Sequence, residues 1–125
     1  MSGHVEPDER VRSTNASERQ RALAELLARG DKAAVESIAA ALLASDWPVS
    51  GQLADALAEI GGAGAREALI RALKVRRHHV RSAAIKALVR LGGGNVRDHI
   101  EKIRNDPAYE VRQDVAAALR DLDDR

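Results

Sequence analysis

The chain has no cysteine, which excludes disulfides and thiolate metal sites and gives no argument for an oxidising compartment. It has no phenylalanine, one tryptophan and one tyrosine among 125 residues, too few strand-forming side chains for a sheet. No apolar run approaches the roughly 20 residues of a membrane-spanning helix, so no membrane contact is expected. The opening stretch, MSGHVEPDERVRSTNASE, lacks the apolar core of a secretory signal, and a cytoplasmic location is the expectation. Catalytic signatures are missing too: HExxH, P-loop, GxSxG and GxGxxG patterns are absent. The chain reads as a non-enzyme without a cofactor.

What is present is mostly alanine and leucine, 24 and 13 residues. Both rank at the top of the helix propensity scale, and alanine lets helices approach closely. The fold class is all-α, and the length suits one domain. Charge is unevenly placed beneath a net +1. Residues 1–64 carry 6 basic and 10 acidic side chains, whereas residues 66–104 carry 11 basic and 3 acidic. Such a surplus attracts phosphate or an acidic protein surface.

An internal period of 31 residues organises the chain. Leu26, Leu57, Leu88 and Leu119 obey it, as do Val49, Val80 and Val111, and Gly30, Gly61 and Gly92. Ile38, Leu69 and Ile100 form another set, and Ala56, Ala87 and Ala118 another. Each period holds two amphipathic helical patterns, the second reading VSGQLADALAEIGG, VRSAAIKALVRLGG and VRQDVAAALRDLDD. Apolar residues at i, i+4, i+7, i+8 and i+11 make one stripe on a 3.6-residue helix. Repeats of this length indicate a solenoid, in which each unit packs only on its neighbours.

The pattern predicts about seven helices, at 17–29, 32–44, 49–60, 65–75, 79–91, 96–104 and 108–122. Gly30, Gly61 and Gly92 end the second helices, Asp31 can cap the next start, and Pro48 and Pro107 mark the turn inside a repeat. Residues 1–16 are polar, lack a stripe and are expected to form a flexible arm before a repeat domain over 17–125. The first repeat then has only its second helix. That unfinished end suggests a piece of a longer protein or a homodimer through the N-terminal end.

The segment VRSAAIKALVRLGG from Val80 to Gly93, with Asp106 and Pro107 before Val111 and Arg112, resembles HEAT-like repeats, particularly the short phycobilin-lyase type. The resemblance covers about residues 17–122. It departs from the pattern at Ser50, where the usual arginine is missing, and at Gly51. It implies a right-handed α-α superhelix, armadillo-like in its helical layers, of about 3.5 HEAT-like repeats, with the second helices on the concave side. It also implies that Arg19, Arg81 and Arg112 pair with acidic neighbours, Asp106 being the local choice for Arg112. Function follows less directly, because the family hosts scaffolds, regulators, lyase subunits and DNA-repair enzymes.

With Val80, Ala84, Ala87, Leu88 and Leu91 facing the core, the opposite side of that helix carries Ser82, Ile85, Lys86 and Val89. Their equivalents are Leu23 and Leu27, Ala54 and Ala58, and Ala116 and Arg120. An apolar strip on a concave surface suits a protein partner, and a scaffold binding protein there is the leading expectation. Arg71, Lys74, Arg76, Arg77, His78, His79 and Arg81 form an alternative anion-binding set, suited to nucleic-acid backbone. A third reading is a regulatory or lyase-like enzyme subunit. His78 and His79, adjacent on a helix, should diverge and make no metal pair. Trp47 and Tyr109 are expected to close their turns against the core.

Overall fold

Asn15 starts the first long helix by accepting a hydrogen bond from the Glu18 N–H at 3.0 Å, and Gly30, at φ +58°, ends it. A left-handed residue suits glycine because no Cβ meets the following carbonyl. Asp31 then caps the next helix through the Ala34 N–H at 2.8 Å. Gly61 makes a tighter connection: at φ +74° and ψ −170° it ends one helix and opens the next. That region is open essentially to glycine alone.

The computed structural model describes residues 6–125. Among them lie α1 (Pro7–Arg10), α2 (Ala16–Arg29), α3 (Lys32–Leu43), α4 (Val49–Ile60), α5 (Gly62–Ala72), α6 (His78–Leu91), α7 (Val96–Glu101) and α8 (Tyr109–Asp123). The even-numbered helices stack side by side in one layer, and α1, α3 and α5 follow one another in the other. At the C-terminal end α6 and α8 pack along each other, and the short α7 lies against both. No described helix is long and apolar enough to cross a membrane.

The 31-residue sets become columns of the core. Leu26, Leu57, Leu88, Ile38, Leu69 and Ile100 are all fully buried, and Ala56, Ala87 and Ala118 nearly so. Truncating one of these leucines to alanine removes buried methyls and leaves a cavity, a cost of about 2–5 kcal/mol. Two helices differ from the sequence pattern by more than a residue. Helix α5 runs Gly62–Ala72 rather than 65–75, because Gly61 already turns the chain, and α7 ends at Glu101, where hydrogen-bonded turns carry the chain to Asp106.

The N-terminal end differs most. Of the expected arm over 1–16, residues 1–5 lie outside the described residues. Pro7–Arg10 form a turn of helix packed on α2 and α3, and Val11 is fully buried. Val11 stands 31 residues before Leu42 and takes its place in the core. Asp8 fixes the turn by accepting from Arg29 Nη1 at 2.7 Å and from Ser37 Oγ at 2.5 Å. These two bonds hold the Asp8 carboxyl below its ordinary range. The first repeat therefore has a shortened first helix, and the face on which the homodimer expectation rested is partly covered.

Candidate functional site

The second-helix layer does not present the strip expected of it. Ala54 and Ile85 are buried in the core, Leu23, Leu27, Ala58 and Val89 are half-buried against it, and only Lys86, Ala116 and Arg120 are fully exposed. The reason is lateral packing. The inner second helices α4 and α6 touch the helix behind them and a second helix on either side, so their buried sector is wider than one stripe. Positions 54 and 85 lie in the seam toward the following repeat. Ala116, one period later, is exposed because no described helix follows α8.

The solvent row lies one residue further round. Ala24, Asp55, Lys86 and Ala117, spaced by 31, are all exposed. Between α6 and α8 the row opens into a groove of about 220 Å³, with Ile85, Val89, Ala117 and Ala118 on its floor. Lys86, Asp114 and Asp121 line its charged margin. A second cleft of about 150 Å³ adjoins it through Lys86 and runs past Ser82, His79 and Glu110 to Trp47 and Pro48. Two cross-helix contacts hold the layer: Arg90 Nη1 lies 3.2 Å from Asp55 Oδ1, and Ser82 Oγ donates to Asp114 Oδ2.

Trp47 and Tyr109 do not close their turns. They are 73% and 63% exposed, so both rings stand at the edge of the molecule rather than against the core. Tyr109 is held from outside, its hydroxyl accepting from Gln113 Nε2 at 2.6 Å and its ring lying 5.7 Å from the Arg112 guanidinium carbon. Between the two, in the same register, stands His78.

The basic set is divided by the fold. Arg77 Nη1 lies 2.5 Å from Asp46 Oδ1 and also reaches the Ala44 and Ser45 carbonyls. Arg81 is bound to Asp106. Lys74 and Arg76 are exposed at the turn, whereas exposed Arg71 lines a hollow with Lys32, Glu36 and Glu67 on the first-helix side. Elsewhere in 66–104, Arg97 is bound by Asp123, Arg104 by Glu101 and Arg90 by Asp55, while Arg66 donates to the Gly92 carbonyl. His78 and His79, in the first turn of α6, converge instead of diverging, with ring centroids 4.0 Å apart. With Glu110 they bring three ligand atoms within 4.8 Å of one another. Such a set could hold a divalent ion through three ligands, against the positive charge of Lys86 in the cleft shared by His79 and Glu110.

The recurring arginines form a ladder with a different wiring from the one expected. Asp106 gives its carboxylate to Arg81 of the preceding repeat, at 2.8 and 2.9 Å, and only its backbone carbonyl to Arg112, at 2.8 Å. Burial pushes the Asp106 carboxyl up, but the Arg81 fork, the Ala108 N–H and nearby Arg112 outweigh it and hold the group below the usual carboxylate range. Ser50 replaces the missing arginine with a buried hydroxyl pair, 2.8 Å from Ser45 Oγ.

Against known families, residues 38–120 match the HEAT repeats. The match is to these repeats in general and gives no support to the narrower phycobilin-lyase likeness. A comparison with curated proteins finds no match.

Proposed function

Because the chain belongs to the HEAT-repeat family, we propose that it is a non-catalytic protein-interaction module whose partner seats on the second-helix layer around Lys86. HEAT repeats are typically protein-interaction scaffolds. The observation that carries this reading is the pair of adjoining clefts on either side of Lys86. One has an apolar floor between two helices. The other ends at an exposed tryptophan, the residue type most enriched among interface hot spots. Together they offer apolar area bounded by Lys86, Glu110, Asp114 and Asp121, charges of both signs that set the orientation of a bound segment.

His79, Ser82 and Glu110 share a cleft, in which Ser82 donates to the Asp114 carboxylate rather than to His79.

The test is a photo-reactive side chain at Ala117, used to trap the partner in the cells from which the protein comes. The trapped protein is then titrated against the chain and its Val89→Asp and Trp47→Ala variants. Loss of binding in both, with helical content unchanged, supports the reading. Equal affinity for all three would remove it.

A further inference from the structure

The chain contains its own template for a carboxylate site, and one copy of that template is unfilled. Arg81 divides its guanidinium between two tasks. Its Nη1 donates to the carbonyls of Val75 and Arg76, six and five residues earlier, at 2.9 and 2.7 Å. The other edge, Nε and Nη2, grips both oxygens of Asp106, which lies 25 residues later. Arg112 repeats the first task on Asp106 and Pro107, again six and five residues back.

Arg19 stands two periods before Arg81. Its Nη1 donates to the carbonyl of Ser13, six residues earlier, at 3.1 Å, so its guanidinium is set in the same way. The residue 25 places later is Ala44, with no carboxylate to offer. Arg19 Nε is left buried without a hydrogen-bond partner. A buried donor left unmade costs free energy that a ligand recovers on binding.

A cavity of about 300 Å³ lies at this place, lined by Arg19 and Ala44. Val11, Val49 and Leu53 supply apolar wall, and Arg12 adds a second guanidinium. The nearest acid in the lining, Asp46, is already bound to Arg77. The volume sits at the lower end of the range for small-molecule sites, which are mostly apolar with a few placed polar groups.

We propose that this cavity binds a carboxylate carried on a short apolar body, with the carboxylate on the Nε edge of Arg19 as Asp106 lies on Arg81. The shared chemistry has two sources: a free branched-chain carboxylic acid, or the C-terminal residue of a protein. The site shares no lining residue with the clefts around Lys86, so its fate and that of the partner surface are separable.

The experiment follows the Arg19 Nε–H resonance by NMR. The full chain is titrated with isovalerate, with neutral isovaleramide, and with a short peptide ending in leucine as the free acid or the amide. Saturable shifts of that resonance with the acids and none with the amides are expected. Ala44→Asp should fill the site from within, raise Tm and weaken acid binding about tenfold or more, the worth of a charge-assisted pair. Arg19→Gln, followed through the backbone amides of the lining residues Val11, Ala44 and Leu53, should abolish binding without supplying a substitute, and carries the test if Ala44→Asp fails to fold. Tighter binding of the peptide acid than of isovalerate supports a protein terminus as the source, and the reverse supports a small acid. No response to either acid at Arg19, or equal binding by Ala44→Asp and the parent chain, overturns the proposal.

Discussion

The Arg81 guanidinium closes a two-pronged bond on the Asp106 carboxylate across the seam between consecutive repeats, at 2.8 and 2.9 Å, with side chains only 11% and 6% exposed. The same carboxylate accepts from the Ala108 N–H at 2.9 Å and so shapes the turn into α8. One aspartate thus joins two repeats and starts a helix.

Removing that group should be costly. Asp106→Ala leaves the Arg81 guanidinium buried without its counter-charge, which destabilises on the order of 3 kcal/mol. Arg81→Met with Asp106→Ala together should cost less than the sum of the single changes, because neither charge is stranded. Calorimetric unfolding of the four proteins measures the difference, and strict additivity would show that the pair is not coupled.

Acid should loosen the same joint. The folded-state pKa of Asp106 lies below its ordinary 3.8, so the stability it adds is present in full above that value and is lost as pH falls through the lower, folded one. Asp8, Asp31 and Asp123 are shifted in the same direction by their arginine, serine and backbone partners. Asp106→Asn should therefore be less stable than the parent at pH 7, and the gap should close below about pH 4. Urea titrations followed by far-UV circular dichroism across that range check the sign.

Charge placed in the seam should unfold the chain, whereas a change of charge on the groove margin should not. Ile85 is fully buried, so Ile85→Asp is expected to abolish cooperative unfolding. Lys86→Glu, on the exposed row one residue further on, should change stability by no more than about 0.5 kcal/mol. It should alter the rate at which a partner associates. Comparison of Tm and association rate for the two variants separates seam from surface.

The N-terminal turn should contribute to stability rather than hang free. Val11→Ala removes methyl groups from a fully buried site and should cost about 2 kcal/mol. Asp8→Asn should weaken the anchor on Arg29 and Ser37 and speed amide exchange in α1 selectively. Hydrogen exchange resolved by residue tests this; unchanged protection of Val11 would contradict it.

Much of the architecture was legible because a solenoid writes its packing into a period. Leu26, Leu57 and Leu88 name the core column, and five of the seven expected helices fall within a residue or so of their observed ends. Val11 was equally legible by its spacing from Leu42, but a single apolar residue between Asp8 and Arg12 does not make a stripe. The candidate surface was less readable. A helical wheel for one helix cannot show what lies on either side of it, and Ile85 and Ala54 looked outward until their neighbours were in place. The ladder was misread for a similar reason. Arg112 is near Asp106 along the chain, while Arg81 is near it in space.

The exposure of Trp47 and Tyr109 has an optical consequence. With no phenylalanine and both large aromatic rings already in solvent, the interior of this molecule holds no chromophore apart from the peptide bond. Tryptophan emission should therefore change little on unfolding, and a near-ultraviolet spectrum of the native state should resemble that of a denatured chain. An observer relying on either would see no transition in a protein that is melting cooperatively.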